Sequence, residues 1–314
     1  MNAAVGLLVY SLVVVVAGPP LLRRLTRSGH VPRLDVVAWL TAIASVLITW
    51  IAAAVAAVLD VLGHWNHGHF VAACLAKLFG VAAGDAGMVP RAALITIAVA
   101  AAVVAAATVI RLTRTLMRIR KRAQRHAQAV RIVGRRTDEH DVVILDAPEP
   151  AAYCVSGRPP AIVVTTAAVG ALDERQLHAV VAHERAHLSG HHAHIVATLR
   201  SLAAALPRIT LITEGADQVS QLLEMCADDV AARRHGRGAL LSGLLALSGV
   251  TPAGALGAAD VAVVARAQRL AAPDAQPALA RSRAALTGIV TVMATGPLVA
   301  AALAASGALR CGIP

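Results

Sequence analysis

The apolar positions of the chain fall into four long unbroken runs and a patterned remainder. The runs cover residues 3–22, 36–59, 92–110 and 284–305, each near the roughly 20 apolar residues that a bilayer-spanning helix needs. Pro19 and Pro20, near the end of the first run, are expected to kink or stop its helix. That run opens the chain as a signal peptide would, but it has no basic segment before it, and Arg23, Arg24 and Arg27 follow it instead. It reads as an uncleaved span. Two weaker runs do not qualify. Residues 195–213 are broken by Arg200, Pro207 and Arg208, and residues 239–250 are too short, with Pro252 and Asp260 spoiling their extension. Both are expected as core or membrane-skimming helices.

Between the third and fourth runs the pattern changes. Short β-prone stretches at 129–133, 142–145, 152–155 and 161–166 are separated by polar or Gly/Pro turns, including Gly157-Arg158-Pro159-Pro160. Asp173 then begins a capping-box pattern with Gln176 three residues on, which predicts a helix from there to about Ser189, stopped by Gly190. The expected fold class is an α+β membrane protein: three spans within 1–110, a basic juxtamembrane linker over 111–127, a soluble domain over 128–283, and a fourth span with a short tail over 284–314.

Composition supports the membrane reading. The 314 residues are 57% hydrophobic with only 2% aromatics, and mean hydropathy is +0.67. The net charge of +11 is concentrated: residues 111–136 carry ten Lys or Arg and no acid. A dense basic block after an apolar run reads as a cytoplasmic anchor for anionic lipid, and with no recognition motif beside it direct nucleic-acid binding is not expected. The first inter-span loop holds Arg23, Arg24, Arg27 and Arg33, whereas the second offers only Lys77. By the excess of Lys and Arg on cytoplasmic loops, the soluble domain faces the cytosol and both termini lie outside a multi-pass cell-membrane protein. Cys154 and Cys226 are then expected as free cytosolic thiols. Cys74 and Cys311 fall outside, where a disulfide between them is one hypothesis.

The predicted helix at 173–189 carries His183-Glu184-Arg185-Ala186-His187, an H-E-x-x-H pattern. Positions i and i+4 share one helix face, so both imidazoles can reach a single ion, and neutral imidazole suits Zn2+. Glu184 stands beside the remaining position as a candidate general base for hydrolysis. The extended form with a third histidine fails, because Ala193 occupies its position; His191, His192 and His194 read as solvated or as neighbours of the ligands. Glu224 and Asp228, four apart on a later helical stretch, offer a carboxylate third ligand and a partner to orient a ligand imidazole. Glu214 and Asp229 are the alternatives; Cys226, two residues on from Glu224, faces the other way.

The residues Ala152-Tyr153-Cys154-Val155-Ser156-Gly157, Ile162-Val163-Val164-Thr165-Thr166, the H-E-R-A-H helix and Glu224-Met225-Cys226-Ala227-Asp228 together resemble the BlaR/MecR-type membrane metallopeptidases. HtpX and the CAAX prenyl proteases share the order of strand, helix and E-x-x-x-D helix. The resemblance implies a gluzincin-like zinc peptidase domain between spans three and four. His183, His187 and Glu224 would be its ligands, Glu184 its base and Asp228 the residue that orients an imidazole. It suggests a peptide-binding edge strand near Ala161–Thr166. Arg233, Arg234 and His235 are candidate oxyanion donors. The β-lactam receptors of that family carry an extracellular penicillin-binding domain after the fourth span, and a chain ending at Pro314 is expected to lack it. The expected activity is regulated cleavage of a cytoplasmic or membrane-proximal protein, such as a BlaI/MecI-type transcriptional repressor. Quality-control proteolysis like that of HtpX, or a signalling protein with a vestigial site, are the other readings. A metal transporter is disfavoured, because its ligands would lie within the spans.

Overall fold

The computed structural model describes residues 3–27, 29–63, 88–248, 258–271 and 276–305. Helices α1 (Ala3–Thr26), α2 (Pro32–Gly63) and α3 (Met88–Val133) come first, and a sheet of β1 (Arg135–Arg136), β2 (Val142–Leu145), β3 (Ala152–Val155) and β4 (Ala161–Thr165) follows. Then come α4 (Thr166–Ala171), α5 (Glu174–Ser189), α6 (His192–Ala205), α7 (Thr210–His235), α8 (Arg237–Ser248), α9 (Ala258–Ala271) and α10 (Gln276–Ala305).

Among the described residues, three segments are long and apolar enough to cross a membrane: Gly6–Thr26, Pro32–Val55 and Ala280–Ala302. They mark a membrane protein. Their outward faces carry bare aliphatic side chains such as Leu12, Val16, Ile51 and Leu298, as lipid contact requires. The run 92–110 is also helical, as the first half of α3, although part of its side chains lie outside the described set. Cys74, Lys77 and Cys311 lie outside the described residues.

Polar groups inside the bundle find partners across helices. The Tyr10 hydroxyl donates to the Met293 carbonyl at 3.1 Å, and the indole of Trp50 donates to Ser11 Oγ at 3.1 Å. Of the kink or stop expected at Pro19 and Pro20, the stop does not occur: α1 continues to Thr26 with both prolines inside it. Its last turns are held by packing: Leu22 is fully buried, and Thr26 accepts the Trp39 indole N–H. The largest apolar cluster joins these spans to α6 and α7, with Trp39, Ile43 and Val46 packed against Leu211, Ile212 and Val219. At Gly215 the approach is closest: a Cβ there would lie 2.8 Å from Ile43 Cδ1. The helix that carries Glu224 is thus built directly onto the second span.

Residues 129–133, expected as a strand, are the last turns of α3, and the expected linker at 111–127 is helical too. The reason is the period of burial. Ala127 and Val130, three apart, pack on the sheet through Val143, Val155 and Val163, while Ile132 and Val133 are exposed. The other sheet face, Val142, Ile162 and Val164, packs on Val181 and Leu177 of α5. The sheet is therefore sandwiched between α3 and α5. Its order is β1-β2-β4-β3, with β2 and β4 parallel and the other pairs antiparallel. This corrects the edge-strand expectation: β4 is fully buried and central, paired on both sides, and the outer strands are β3 and the two-residue β1.

Candidate metal centre

Helix α5 begins as its sequence predicts. Asp173 accepts from the Gln176 backbone N–H, Gln176 reciprocates to the Asp173 N–H, and Gly190 closes the far end. Within it Arg185 points away from the cleft and forks Asp141 at 2.7 and 2.8 Å, tying the helix to the start of β2. That ion pair holds the Asp141 carboxyl below its ordinary range.

His183 and His187 turn their Nε2 atoms to within 3.1 Å of each other. From α7, the Glu224 carboxylate comes to 3.5 Å from each of them. Ligand atoms of His183, His187 and Glu224 all lie within 4.8 Å of one another, a grouping that could hold a metal ion. The donor set fits zinc: two imidazole nitrogens and one carboxylate, the three-ligand set that would leave zinc able to take a water or substrate oxygen. Neither Glu214 nor Asp229 joins this group. Glu214 pairs with Arg23 at 3.4 Å and Asp229 with Arg269 at 2.7 Å.

Behind the cluster lies Asp228, fully buried. Its Oδ1 is 3.2 Å from His183 Nδ1, a charge contact off the straight N–H···O line. Its firm bonds go to Arg266 of α9, which donates from Nε at 2.8 Å and from a terminal nitrogen at 2.6 Å. The other terminal nitrogen of Arg266 is 3.2 Å from Glu224. Arg266 was invisible in the sequence, because 38 residues separate it from Asp228 and no motif frames it. By contrast Arg233, Arg234 and His235 are exposed at the end of α7, with His235 facing His178 at 6.1 Å. The cation at the site is Arg266.

These contacts set the protonation states. Burial tends to raise the Glu224 carboxyl, but the two imidazoles outweigh it and hold it well below the carboxylate range. Burial likewise opposes ionisation of Asp228, and Arg266 reverses it, leaving Asp228 lowered. For His183, burial disfavours the cation, yet contacts with Asp228 and Glu224 bring its pKa up to about 9. Glu184 moves the opposite way from Glu224: burial raises it. Its neighbour on β3 is the Cys154 thiol, pushed up to about 12 chiefly by burial. Cys154 and Cys226 are free thiols, as expected.

Two hollows flank the centre. One of about 300 Å³ is lined by Ala152, Val180, Glu184, Leu244, Arg266 and Leu270. The other, about 660 Å³, runs from Ile119 and Cys154 past His187 and Glu224 to Val196 and Arg200. An extended chain crossing from one to the other would pass the cluster.

A small sheet, a histidine-bearing helix with a half-buried glutamate, and a carboxylate helix rooted among apolar spans define a metallopeptidase of the membrane. The sequence model of peptidase family M48 matches residues 116–300, more than half of the chain, and the chain belongs to that family. No curated protein and no solved structure matches it.

Proposed function

We propose that the chain is a zinc endopeptidase that cleaves a cytoplasmic or membrane-proximal protein, with His183, His187 and Glu224 as ligands and Glu184 as general base. The observation that carries this is the convergence of two Nε2 atoms and a carboxylate beside the half-buried Glu184. A zinc ion held by His183, His187 and Glu224 would supply Lewis acidity for the scissile carbonyl and for water. Glu184 would take a proton from water as its oxygen adds to the carbonyl carbon, and would return that proton to the amide nitrogen as the tetrahedral adduct collapses and the C–N bond breaks. Burial suits it for both transfers, since it brings the carboxyl nearer the operating pH. Asp228, clamped by Arg266, holds the His183 ring in place. The outer strand β3 lies alongside α5 and has no strand partner on its far side among the described residues. An extended substrate can add there by backbone hydrogen bonds.

In this reading the centre faces the cytosol with both termini outside, as the placement of arginines argues. A BlaI/MecI-type repressor is the favoured substrate, on the BlaR/MecR-like motif order. Membership of M48, which includes HtpX-like proteases, favours a second reading, quality control of membrane proteins. Substrate profiling in cells separates the two: one dominant cytosolic target against many membrane-protein targets. The test of the core proposal is metal analysis of purified full-length protein beside Glu184→Gln. Zinc at unit stoichiometry in both is expected, with proteolysis lowered about 10²–10⁴-fold in the variant. A wild type without zinc, or a variant of full activity, refutes it.

A further inference from the structure

The turn that follows the metal helix places a third histidine in a specific contact. Helix α5 ends at Gly190, His191 takes the left-handed conformation with φ of 52°, and His192 starts α6. This sharp reversal folds His192 back under the helix it has just left. His191 and His194 remain exposed and face each other at 6.1 Å. His192 is buried, 8% exposed, with Nδ1 at 2.9 Å from His187 Nδ1 and the two rings perpendicular. The seat is tight, since a Cβ on Gly190 would come within 2.3 Å of His192 Nε2.

Two nitrogens 2.9 Å apart share one proton, so one must donate and the other accept. His187 turns Nε2 toward His183 and Glu224, so its own proton belongs on Nδ1. His192 must then be the acceptor, with a lone pair on Nδ1 and its hydrogen on Nε2.

We propose that His192 is the positioning residue of His187: it accepts the Nδ1–H, fixes the tautomer and ring orientation, and so sets how tightly the centre holds its metal. This rests on the metal-centre reading above. It makes the two ligand histidines unequal. His183 is backed by a carboxylate neutralised by Arg266, whereas His187 is backed by an uncharged ring that adds no negative charge to the site. Metal-ligating histidines need such a partner for the remaining N–H, and its loss costs about 10–100-fold in metal affinity.

The experiment is competition between full-length protein in detergent and a zinc chelator, with cobalt-substituted protein read by its visible absorption. His192→Ala lowers zinc affinity about 10–100-fold and alters the cobalt spectrum. His192→Asn, whose amide oxygen falls near the Nδ1 position, restores both. His192→Gln, whose polar atoms reach the Nε2 position instead, does not. Gly190→Ala, which displaces the ring through the 2.3 Å contact, behaves like His192→Ala. The proposal is overturned by wild-type affinity in His192→Ala, or by an Asn variant no better than the Gln variant. If His192→Ala does not fold, the Asn and Gln pair decides alone. A wild type that binds no metal instead refutes the metal-centre reading itself, a distinct outcome.

Discussion

Replacing Arg266 by Met keeps the aliphatic stem and deletes the guanidinium on which the site's charge balance depends. Asp228, whose side chain is 1% exposed, then loses bonds of 2.8 and 2.6 Å. Removing one partner of a buried ion pair costs about 3–5 kcal/mol, because the remaining charge stays out of water. His183 at 3.2 Å is still beside the carboxylate, which places the loss near the lower end, about 3 kcal/mol. That is roughly a hundredfold in the folded-to-unfolded ratio, and at about 2–4 °C per kcal/mol it lowers Tm by about 6–12 °C. Thermal unfolding of metal-free protein in detergent, followed by circular dichroism, measures it. The pH dependence gives a sharper check. In the wild type the Asp228 carboxyl lies below 3.8, so its contribution is complete above that value and is lost as the pH falls through the lower folded value. Arg266→Met removes the strongest influence lowering the carboxyl, which therefore titrates at a higher pH than in the wild type, so the difference between the two proteins narrows as pH falls through the variant's higher value. Asp228→Leu added to Arg266→Met should recover most of the stability. A loss under about 1 kcal/mol, or a double variant no better than the single, would refute this account of the pair.

In metal-free protein His183 keeps its proton up to about pH 9, so metal uptake at pH 7 releases about one proton. Calorimetry in buffers of different ionisation enthalpy reads this directly, and identical heats in all of them would contradict it. Because that folded pKa is above the ordinary 6.5, the stabilisation is full below 6.5 and is lost as pH rises through about 9. Gly215→Leu drives a side chain into Ile43 and Trp39, where even a Cβ would be 2.8 Å from Ile43 Cδ1. Overpacking of this kind costs about 1–3 kcal/mol, and unchanged thermal stability would mean that α7 and α2 are not packed as described.

The parts of the site legible in the sequence are those whose partners are close along the chain. Asp173 and Gln176 cap α5 from within four residues, and His183 and His187 share a face because a helix repeats every 3.6 residues. Glu224 and Asp228 could be paired by the same spacing, and Asp228 does lie against His183. The β-prone run at 129–133 misled because Val and Ile favour strands only weakly, and here they end a long helix whose Ala127 and Val130 face the sheet. The outer strand was misplaced for a related reason. Strand order depends on pairing across the sheet, and β4 lies between β2 and β3 although it follows both in sequence.

Legible in the sequence alone were apolar runs at both ends of the chain, three of them found as helices long enough to span a membrane, and the capped helix with its two imidazoles and adjacent glutamate. These are local properties, set by composition, helical period and capping. Tertiary structure alone decided which carboxylate of several joins the imidazoles, that Arg266 clamps Asp228 from another helix, and that His192 rather than His191 or His194 seats against His187. Each depends on where helices cross or how one turn reverses, and such geometry is fixed by packing between segments distant in the chain. The centre named by H-E-x-x-H is thus completed by residues that only folding brings to it.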